Sequence, residues 1–148
     1  MTNPRLVISD LDGTLADIEH RLPFIHRERP DWTAFFLACP GDRPIENTIT
    51  VVRTLHLAGY EVVIASGRGE VARDATIDWL ARHQVPWNRL ILRSSGDTRH
   101  DDEVKTEMVR EHHLDPADTL VVLEDRASVV QAWRRLGFHV FQVADGDF

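Results

Sequence analysis

The segment Leu6 to Asp17 reads Leu-Val-Ile-Ser-Asp-Leu-Asp-Gly-Thr-Leu-Ala-Asp. An apolar run of the buried-strand type ends there on two carboxylates, Asp10 and Asp12, with Gly13 directly after them. Because the chain leaves strand pitch at Gly13, both carboxylates can face one crevice. Paired acids suit phosphoryl transfer. One attacks phosphorus and splits a single displacement into two, and the other serves first as acid and then as base. Two blander readings stand beside this one. An Asx turn can end a strand with such a string. A calcium loop also begins this way, but the glutamate it needs at its twelfth position is absent: counted from Asp10, that position is Arg21.

Further polar residues follow other apolar runs. Ser66 and Arg68 come after Glu61 to Ala65, and Glu124 and Asp125 come after Leu120 to Leu123. Of the 17 basic residues 16 are arginine, and the single lysine is Lys105. Arginine bias of this kind arises from nucleotide composition, so a lone lysine can be chance. The sharper reading is a position that needs a compact ammonium rather than a planar fork.

The elements that must position these residues alternate along the chain. Leu6 to Ile8, Glu61 to Ala65, Arg89 to Arg93, Leu120 to Leu123 and Phe138 to Val143 read as strands. Helices are expected over 44–58, with Gly59 as its stop, and over 70–83, with Val71, Ala75, Trp79 and Leu80 on one face. Two more are expected over 101–112, with Asp101 or Asp102 near its start, and over 127–136, with Val129, Val130, Trp133 and Leu136 inward. This pattern predicts an α/β fold, a Rossmann-like parallel sheet of about five strands with helices on both faces. Ligands of such sheets bind beyond the carboxyl ends of the strands, where strand order reverses. The polar residues after the strands should therefore converge.

Residues 16–43 break the alternation. Their aromatics Trp32, Phe35 and Phe36, with Pro23, Pro30 and Pro40 as punctuation, suggest a small lid inserted after the first strand. The three rings either form the lid's own core or stack on a nucleobase. No repeat or low-complexity tract divides the chain, so residues 1–148 read as one domain.

Composition excludes several classes. At 148 residues and 43% hydrophobic content, the chain can bury a core without staples. Cys39 is the only cysteine, which excludes an intrachain disulfide and suits a reducing, cytoplasmic setting. No run approaches the roughly 18 apolar residues of a membrane span, so no membrane partner is expected. The formal net charge of −7 is the wrong sign for a protein that tracks many phosphates.

The string Asp-Leu-Asp-Gly-Thr-Leu resembles the first motif of the haloacid dehalogenase-like phosphatases. The superfamily's other motifs follow in order: Ser66 after a strand, Lys105, and the acidic pair Glu124-Asp125 after another strand. Within that superfamily, Gly96-Asp97-Thr98-Arg99, Asp101-Asp102 and Lys105 are similar to the phosphatase domain of bacteriophage polynucleotide kinase/phosphatase. So are Glu124-Asp125-Arg126, Val130, Trp133-Arg134-Arg135 and Gly137, and the ending Phe141 to Ala144 with Gly146-Asp147-Phe148. Three departures stand out. No Gly-x-x-x-x-Gly-Lys-[Ser/Thr] cradle exists, and the chain starts nine residues before Asp10, so no kinase activity is expected. The insertion after Arg21 is longer than the family's, and Glu124 stands where the family has Asp.

The resemblance implies that Asp10 is the nucleophile and becomes an aspartyl-phosphate, and that Asp12 is the acid and base. It implies that Ser66 binds a phosphoryl oxygen, that Lys105 neutralises Asp10 and the transferring group, and that Asp101 orients Lys105 unless it simply caps its helix. Mg²⁺ is expected on Asp10, the Asp12 backbone carbonyl and Asp125. Arg21 and Arg68 match arginines that engage the phosphorylated end, their plain alternative being surface ion pairs. Arg126 is expected to support the acidic pair. His20, His26, His100, His112 and His113 read as solvated or structural. Three readings stay open: a phosphatase for 3′-phosphorylated DNA or RNA ends, a phosphatase for a free nucleotide or small metabolite, and a subunit of a separately encoded kinase. A homo-oligomer stays open too.

Overall fold

The computed structural model describes residues 3–146, so the resemblance noted at Asp147 and Phe148 lies outside the described residues. The strands are β1 (Leu6–Ser9), β2 (Ala16–Asp17), β3 (Arg43–Pro44), β4 (Glu61–Gly69), β5 (Arg89–Arg93), β6 (Thr119–Glu124) and β7 (Val140–Gln142). The helices are α1 (Trp32–Leu37), α2 (Glu46–Leu57), α3 (Arg73–Arg82), α4 (Asp101–Glu111) and α5 (Ala127–Arg135). Short 3₁₀ turns lie between them.

Five strands form one parallel sheet in the order β5-β4-β1-β6-β7. Every residue of β1 is buried, which fits an apolar run flanked by strands on both sides. Alternation along β1 divides the core. Val7 points to the layer of Ile49 and Val52 from α2 and Trp79 and Leu80 from α3. Leu6 and Ile8 point to the opposite layer, built by Val104 and Met108 from α4 and Val129, Val130 and Trp133 from α5. Each fully buried aliphatic side chain of this kind contributes about 1.5–3 kcal/mol. The chain steps from β1 to β4 and β5 on one side, then returns to β6 and β7 on the other. Strand order therefore reverses at β1, and the crevice opens beyond the carboxyl ends of β1, β4 and β6.

Residues 16–43 leave the sheet at its carboxyl edge. Ala16 pairs with Pro44 and Asp17 with Arg43, so β2 and β3 form an antiparallel ribbon that closes the base of the insertion. Asp31 caps α1 by accepting a hydrogen bond from the Ala34 amide at 2.9 Å. Phe35 is buried, with Trp32 and Phe36 rings 5.7 and 5.6 Å from it. The insertion is tied to the main core by Trp79, whose indole N–H donates to the Asp42 carbonyl at 3.0 Å.

Several boundaries differ from the sequence pattern. Strand β4 continues past Ala65 to Gly69, with a register shift before Gly69 pairs with Arg93. Ser66 and Arg68 thus lie on an irregular strand end rather than in a loop. The helix expected from Glu70 opens with a 3₁₀ turn, Glu70–Ala72, which turns Val71 outward, while Ala72 takes the buried place. Leu136 is the C-cap of α5 and is exposed, because the helix has ended before it can face the core. Strand β7 begins at Val140 because Phe138 packs edge-on against Trp133, with centroids 5.1 Å apart, instead of pairing.

Trp79 gives a direct test of how the insertion is anchored. Trp79→Phe should destabilise the fold by roughly 1–3 kcal/mol, since the buried Asp42 carbonyl loses its donor. A urea midpoint unchanged from the parent protein would show that this bond carries no weight.

Candidate active site

The carboxyl ends of β1 and β6 bring three acidic side chains together. One carboxylate oxygen from each of Asp10, Glu124 and Asp125 lies within 4.8 Å of the others, and all three residues are buried. Lys105 reaches into this group from α4. Its Nζ donates to Asp10 Oδ1 and to Glu124 Oε2, both at 3.0 Å. The alternation of α4 explains the reach: Val104, Lys105 and Met108 are its buried residues, and Lys105 is the one nearest the crevice. Thr14 Oγ1 lies between Asp10 Oδ2 and Asp125 Oδ1, at 3.3 and 3.2 Å.

The electrostatics follow from crowding and burial. Burial and then the Glu124 charge push the Asp10 carboxyl well above its ordinary value, with Lys105 acting against them. Burial, followed by the Asp10 charge, raises Asp125 to about 7. Burial works against the charge on Lys105, but Asp10, Glu124 and Asp101 outweigh it and hold the ammonium above its ordinary value. Such a site is short of positive charge.

A divalent cation fits that deficit. The donors are all carboxylate oxygens, the set preferred by Mg²⁺, and they already sit within bridging distance. Glu124 is largely committed elsewhere. Its Oε2 also takes the Trp133 indole N–H at 3.4 Å, and its Oε1 takes the Asp125 amide at 3.2 Å. Asp10 is engaged too, by Lys105 and Thr14, so Asp125 is the least committed of the three. Gly13 keeps the space open: with φ +80°, it faces Asp125, and a Cβ there would lie 2.1 Å from Asp125 Oδ2.

Asp12 lies in a second cluster beside the first. Its Oδ1 accepts from Arg21 Nη2 at 2.9 Å and Arg68 Nη2 at 2.5 Å. Burial alone would raise its carboxyl, but Arg68 and then Arg21 outweigh burial and lower it. The same two Nη2 atoms donate to Asp42 Oδ2, at 2.7 and 3.2 Å, while Arg21 Nε donates to Asp42 Oδ1 at 2.7 Å. The Arg21 and Arg68 side chains are fully buried. Surface ion pairing is thus not their environment, and neither guanidinium presents itself to solvent as a free anion receptor. Each is engaged with Asp12, which joins them to the site through that carboxylate.

Ser66 is buried at the end of β4, where its Oγ accepts the Arg68 amide at 3.1 Å. Asp101 neither caps α4 nor bonds Lys105. His100 occupies the cap position, and the Asp101 carboxylate pairs with Arg93 at 2.7 Å and with Arg126 at 3.4 Å. Its influence on Lys105 is through charge alone. A Cβ on Gly67 would lie 1.9 Å from Asp101 Oδ1, so the carboxylate packs directly against the strand end. Arg126 also stands near the acidic pair, its amide 3.5 Å from Glu124 Oε1. Of the insertion aromatics, Phe35 lies under the Arg21 guanidinium at 4.5 Å, Phe36 covers Gly69, and Trp32 is half-exposed.

Sequence reasoning missed Asp42, Thr14 and the His20 contact. Asp42 lies in an insertion without periodicity, and nothing local marks it. Thr14 was visible inside the first motif. His20 Nε2 stands 2.7 Å from Asp42 Oδ1 and so is tied to the second cluster.

Comparisons with known proteins agree with this geometry. The family model for the polynucleotide kinase PNKP phosphatase domain matches residues 4–148. A putative bifunctional polynucleotide kinase/RNA ligase of Autographa californica nuclear polyhedrosis virus is 27% identical over 135 residues, which is 90% of this chain and 18% of that protein. A chain in the solved Pnkp1/Rnl/Hen1 RNA repair complex superposes with a TM-score of 0.86 at 32% identity, covering 98% of this chain and 44% of that one. A haloacid dehalogenase-like hydrolase of Streptococcus pneumoniae shares the fold, with a TM-score of 0.65 at 17% identity over 96% of this chain and 85% of that one. The chain therefore spans less than half the length of the first two relatives. The clustered acids, the buried lysine and the matched family model together place the chain in the haloacid dehalogenase-like superfamily, as a member of the polynucleotide kinase/phosphatase phosphatase-domain family.

Proposed function

We propose that this phosphatase domain removes a terminal 3′-phosphate from DNA or RNA through a covalent aspartyl-phosphate on Asp10. The observation that carries the reading is the juxtaposition of two carboxylates in opposite electrostatic settings. Asp10 is set against a buried ammonium at 3.0 Å, and Asp12 is clamped by two guanidiniums through one oxygen. The ammonium favours the ionised Asp10 that a nucleophile must be. The arginine grip on Oδ1 leaves Asp12 Oδ2 for proton transfer. It also lowers that carboxyl, so Asp12 must gain a proton in the substrate complex before it can give one.

In the first step an Asp10 carboxylate oxygen bonds to phosphorus as the bond to the sugar oxygen breaks. The leaving oxygen takes its proton from Asp12 Oδ2, the oxygen not held by the arginines. In the second step water attacks phosphorus, Asp12 takes the water's proton, and inorganic phosphate leaves with Asp10 restored. Lys105 neutralises Asp10 and the incoming phosphoryl group, and Ser66 donates to a phosphoryl oxygen. Asp10, the Asp12 carbonyl and Asp125 would hold Mg²⁺, which supplies the positive charge that lets a carboxylate approach a phosphate dianion. Arg21 and Arg68 assist the phosphorylated end from behind Asp12, and Asp101 with Arg126 steadies the lysine side of the crevice. The insertion at 16–43 serves as the lid.

The partner reading follows from the relatives' printed names, which couple such domains to kinase and ligase functions. We assign this chain a kinase or ligase partner, on another segment or another chain. Among the described residues no helix is long and apolar enough to cross a membrane. The net charge of −7 favours the second reading, a phosphatase for a free nucleotide or small metabolite. Substrate ranking separates the two. The expected order of kcat/KM is 3′-phosphorylated oligonucleotide, then 3′-nucleotide, then aryl phosphate. A sugar phosphate or 5′-nucleotide that exceeds the oligonucleotide by about tenfold, a transition-state preference of roughly 1.4 kcal/mol, would transfer the assignment to the metabolite reading.

Two further outcomes test the chemistry. Asp10→Asn should reduce turnover by at least about 10³-fold and abolish acid-stable labelling by radioactive phosphate, a loss of roughly 4 kcal/mol of barrier lowering. Near-parental turnover in an undeamidated preparation would remove Asp10 from its role.

Cation binding should depend on pH with a defined sign. Asp125 binds its proton up to about 7 in the metal-free fold, above its unfolded value of 3.8. Its contribution to stability is therefore present below pH 3.8 and lost as pH rises through about 7. A cation must displace that proton. The rise in melting temperature on adding Mg²⁺ should thus grow between pH 5 and pH 8. An increment independent of pH would show that Asp125 is not a ligand.

A further inference from the structure

The insertion contributes one side chain whose placement is unexplained by the motifs: Asp42. Its carboxylate is fully buried, in a segment that otherwise has small ambitions as a core. Burying an ionised carboxylate costs several kcal/mol unless it is paired and hydrogen-bonded, and this one is thoroughly paired. Oδ1 takes Arg21 Nε at 2.7 Å and lies 2.7 Å from His20 Nε2. Oδ2 takes Arg21 Nη2 at 2.7 Å and Arg68 Nη2 at 3.2 Å. Those two Nη2 atoms are the same ones that hold Asp12 Oδ1. Two nitrogens and two oxygens thus form a closed square, with Asp12 at the crevice corner and Asp42 at the opposite one.

The square over-determines the arginines. Arg21 meets Asp42 through both Nε and Nη2, a bidentate fork that fixes the guanidinium plane. Its Nη1 is fixed by the Phe35 carbonyl at 3.1 Å, and its face lies over the Phe35 ring. Arg68 is fixed by Thr76 Oγ1 at 2.9 Å from Nη1. With both planes set, the direction from which Asp12 Oδ1 is gripped is set too, and Oδ2 is left on the other side. Asp42 itself is located by the Trp79 bond to its carbonyl.

We propose that Asp42 is a positioning residue for the proton-transfer step, aiming Asp12 at the leaving oxygen through Arg21 and Arg68. It touches no reacting atom. The proposal rests on the phosphatase reading and on Asp12 as proton carrier, and it is independent of whether the substrate is a nucleic-acid end. Asn at this position would set an amide N–H₂ against arginine donors, either at the Oδ2 corner or at the Oδ1 position that takes Arg21 Nε. It would also remove the negative charge that offsets the two guanidiniums.

The test compares leaving groups. Proton delivery matters for an alkyl phosphate, whose alkoxide leaves poorly, and matters little for p-nitrophenyl phosphate, whose phenolate leaves unaided. Steady-state kinetics on glycerol 2-phosphate and p-nitrophenyl phosphate, with Mg²⁺, give the ratio of kcat/KM values for each variant. That ratio reports the leaving-group step, because both substrates share the later hydrolysis of the aspartyl-phosphate. Asp42→Asn should lower that ratio at least about tenfold. Asp12→Asn should lower it similarly, and adding Asp42→Asn to Asp12→Asn should lower it no further. Equal losses on both substrates, or independent losses in the double variant, would reduce Asp42 to a structural residue. If Asp42→Asn does not fold, Asp42→Glu carries the test: the charge is kept but displaced by a methylene, and the ratio should fall several-fold. An unchanged ratio in that variant overturns the proposal. Failure of the 3′-end reading would instead appear in the parent protein's substrate ranking and leave this ratio intact.

Discussion

Three buried carboxylates placed within 4.8 Å of one another are the constraint on which the rest depends. Like charges at that spacing oppose folding unless cations offset them. The chain supplies a single ammonium, Lys105, and it bonds two of the three acids. A compact ammonium donates to both from one nitrogen, where an arginine would present a planar fork of separated donors. In a protein whose other basic residues are all arginine, that is a physical reason for one lysine. The remaining deficit is what makes the site a good host for a divalent cation, and what leaves Asp10 and Asp125 raised without one.

The neighbouring cluster solves the same problem differently. Two carboxylates and two guanidiniums, Asp12, Asp42, Arg21 and Arg68, sum to zero and pair with one another, although Arg68 Nε is left buried without an acceptor. The cluster is balanced in charge, whereas the acidic triad is not. One crevice therefore holds a balanced half and a net-acidic half that is short of positive charge. The insertion contributes Arg21 and Asp42 to the balanced half, so it is not only a cover. Its fold, tied by Trp79 and the β2–β3 ribbon, is a condition for Asp12 to be held by Arg21 as well as by Arg68 of β4.

The sheet and most of the triad were legible because both follow from local pattern. Apolar runs such as Leu6 to Ile8 and Leu120 to Leu123 declare buried parallel strands, and the polar residues after them converge by topology. Burial was less legible. Arg21 and Arg68 have the composition of surface ion pairs, and only tertiary pairing with Asp42 takes them inside. Asp101 sits where a helix-capping acid belongs, yet the close approach of Gly67 and the pull of Arg93 draw its carboxylate sideways. Leu136 matches the α5 period but falls after the helix has ended. The insertion aromatics divide by depth, Phe35 inside and Trp32 half-exposed, a distinction that spacing alone does not carry.

Glu124 shows how a departure from a motif can be absorbed. Where the motif it resembles is expected to carry Asp, the added methylene extends the carboxylate to Lys105 Nζ at 3.0 Å and the Trp133 indole N–H at 3.4 Å. Its other oxygen turns back to the Asp125 amide at 3.2 Å. The longer acid thus becomes a strut between α4, α5 and the end of β6. Glu124 is thereby bonded on both oxygens, while burial and neighbouring charge leave the Asp10 and Asp125 carboxyls raised, so added positive charge would act most on those two. One methylene, and the donors it reaches, thus makes Glu124 the supporting acid of the adjacent pair.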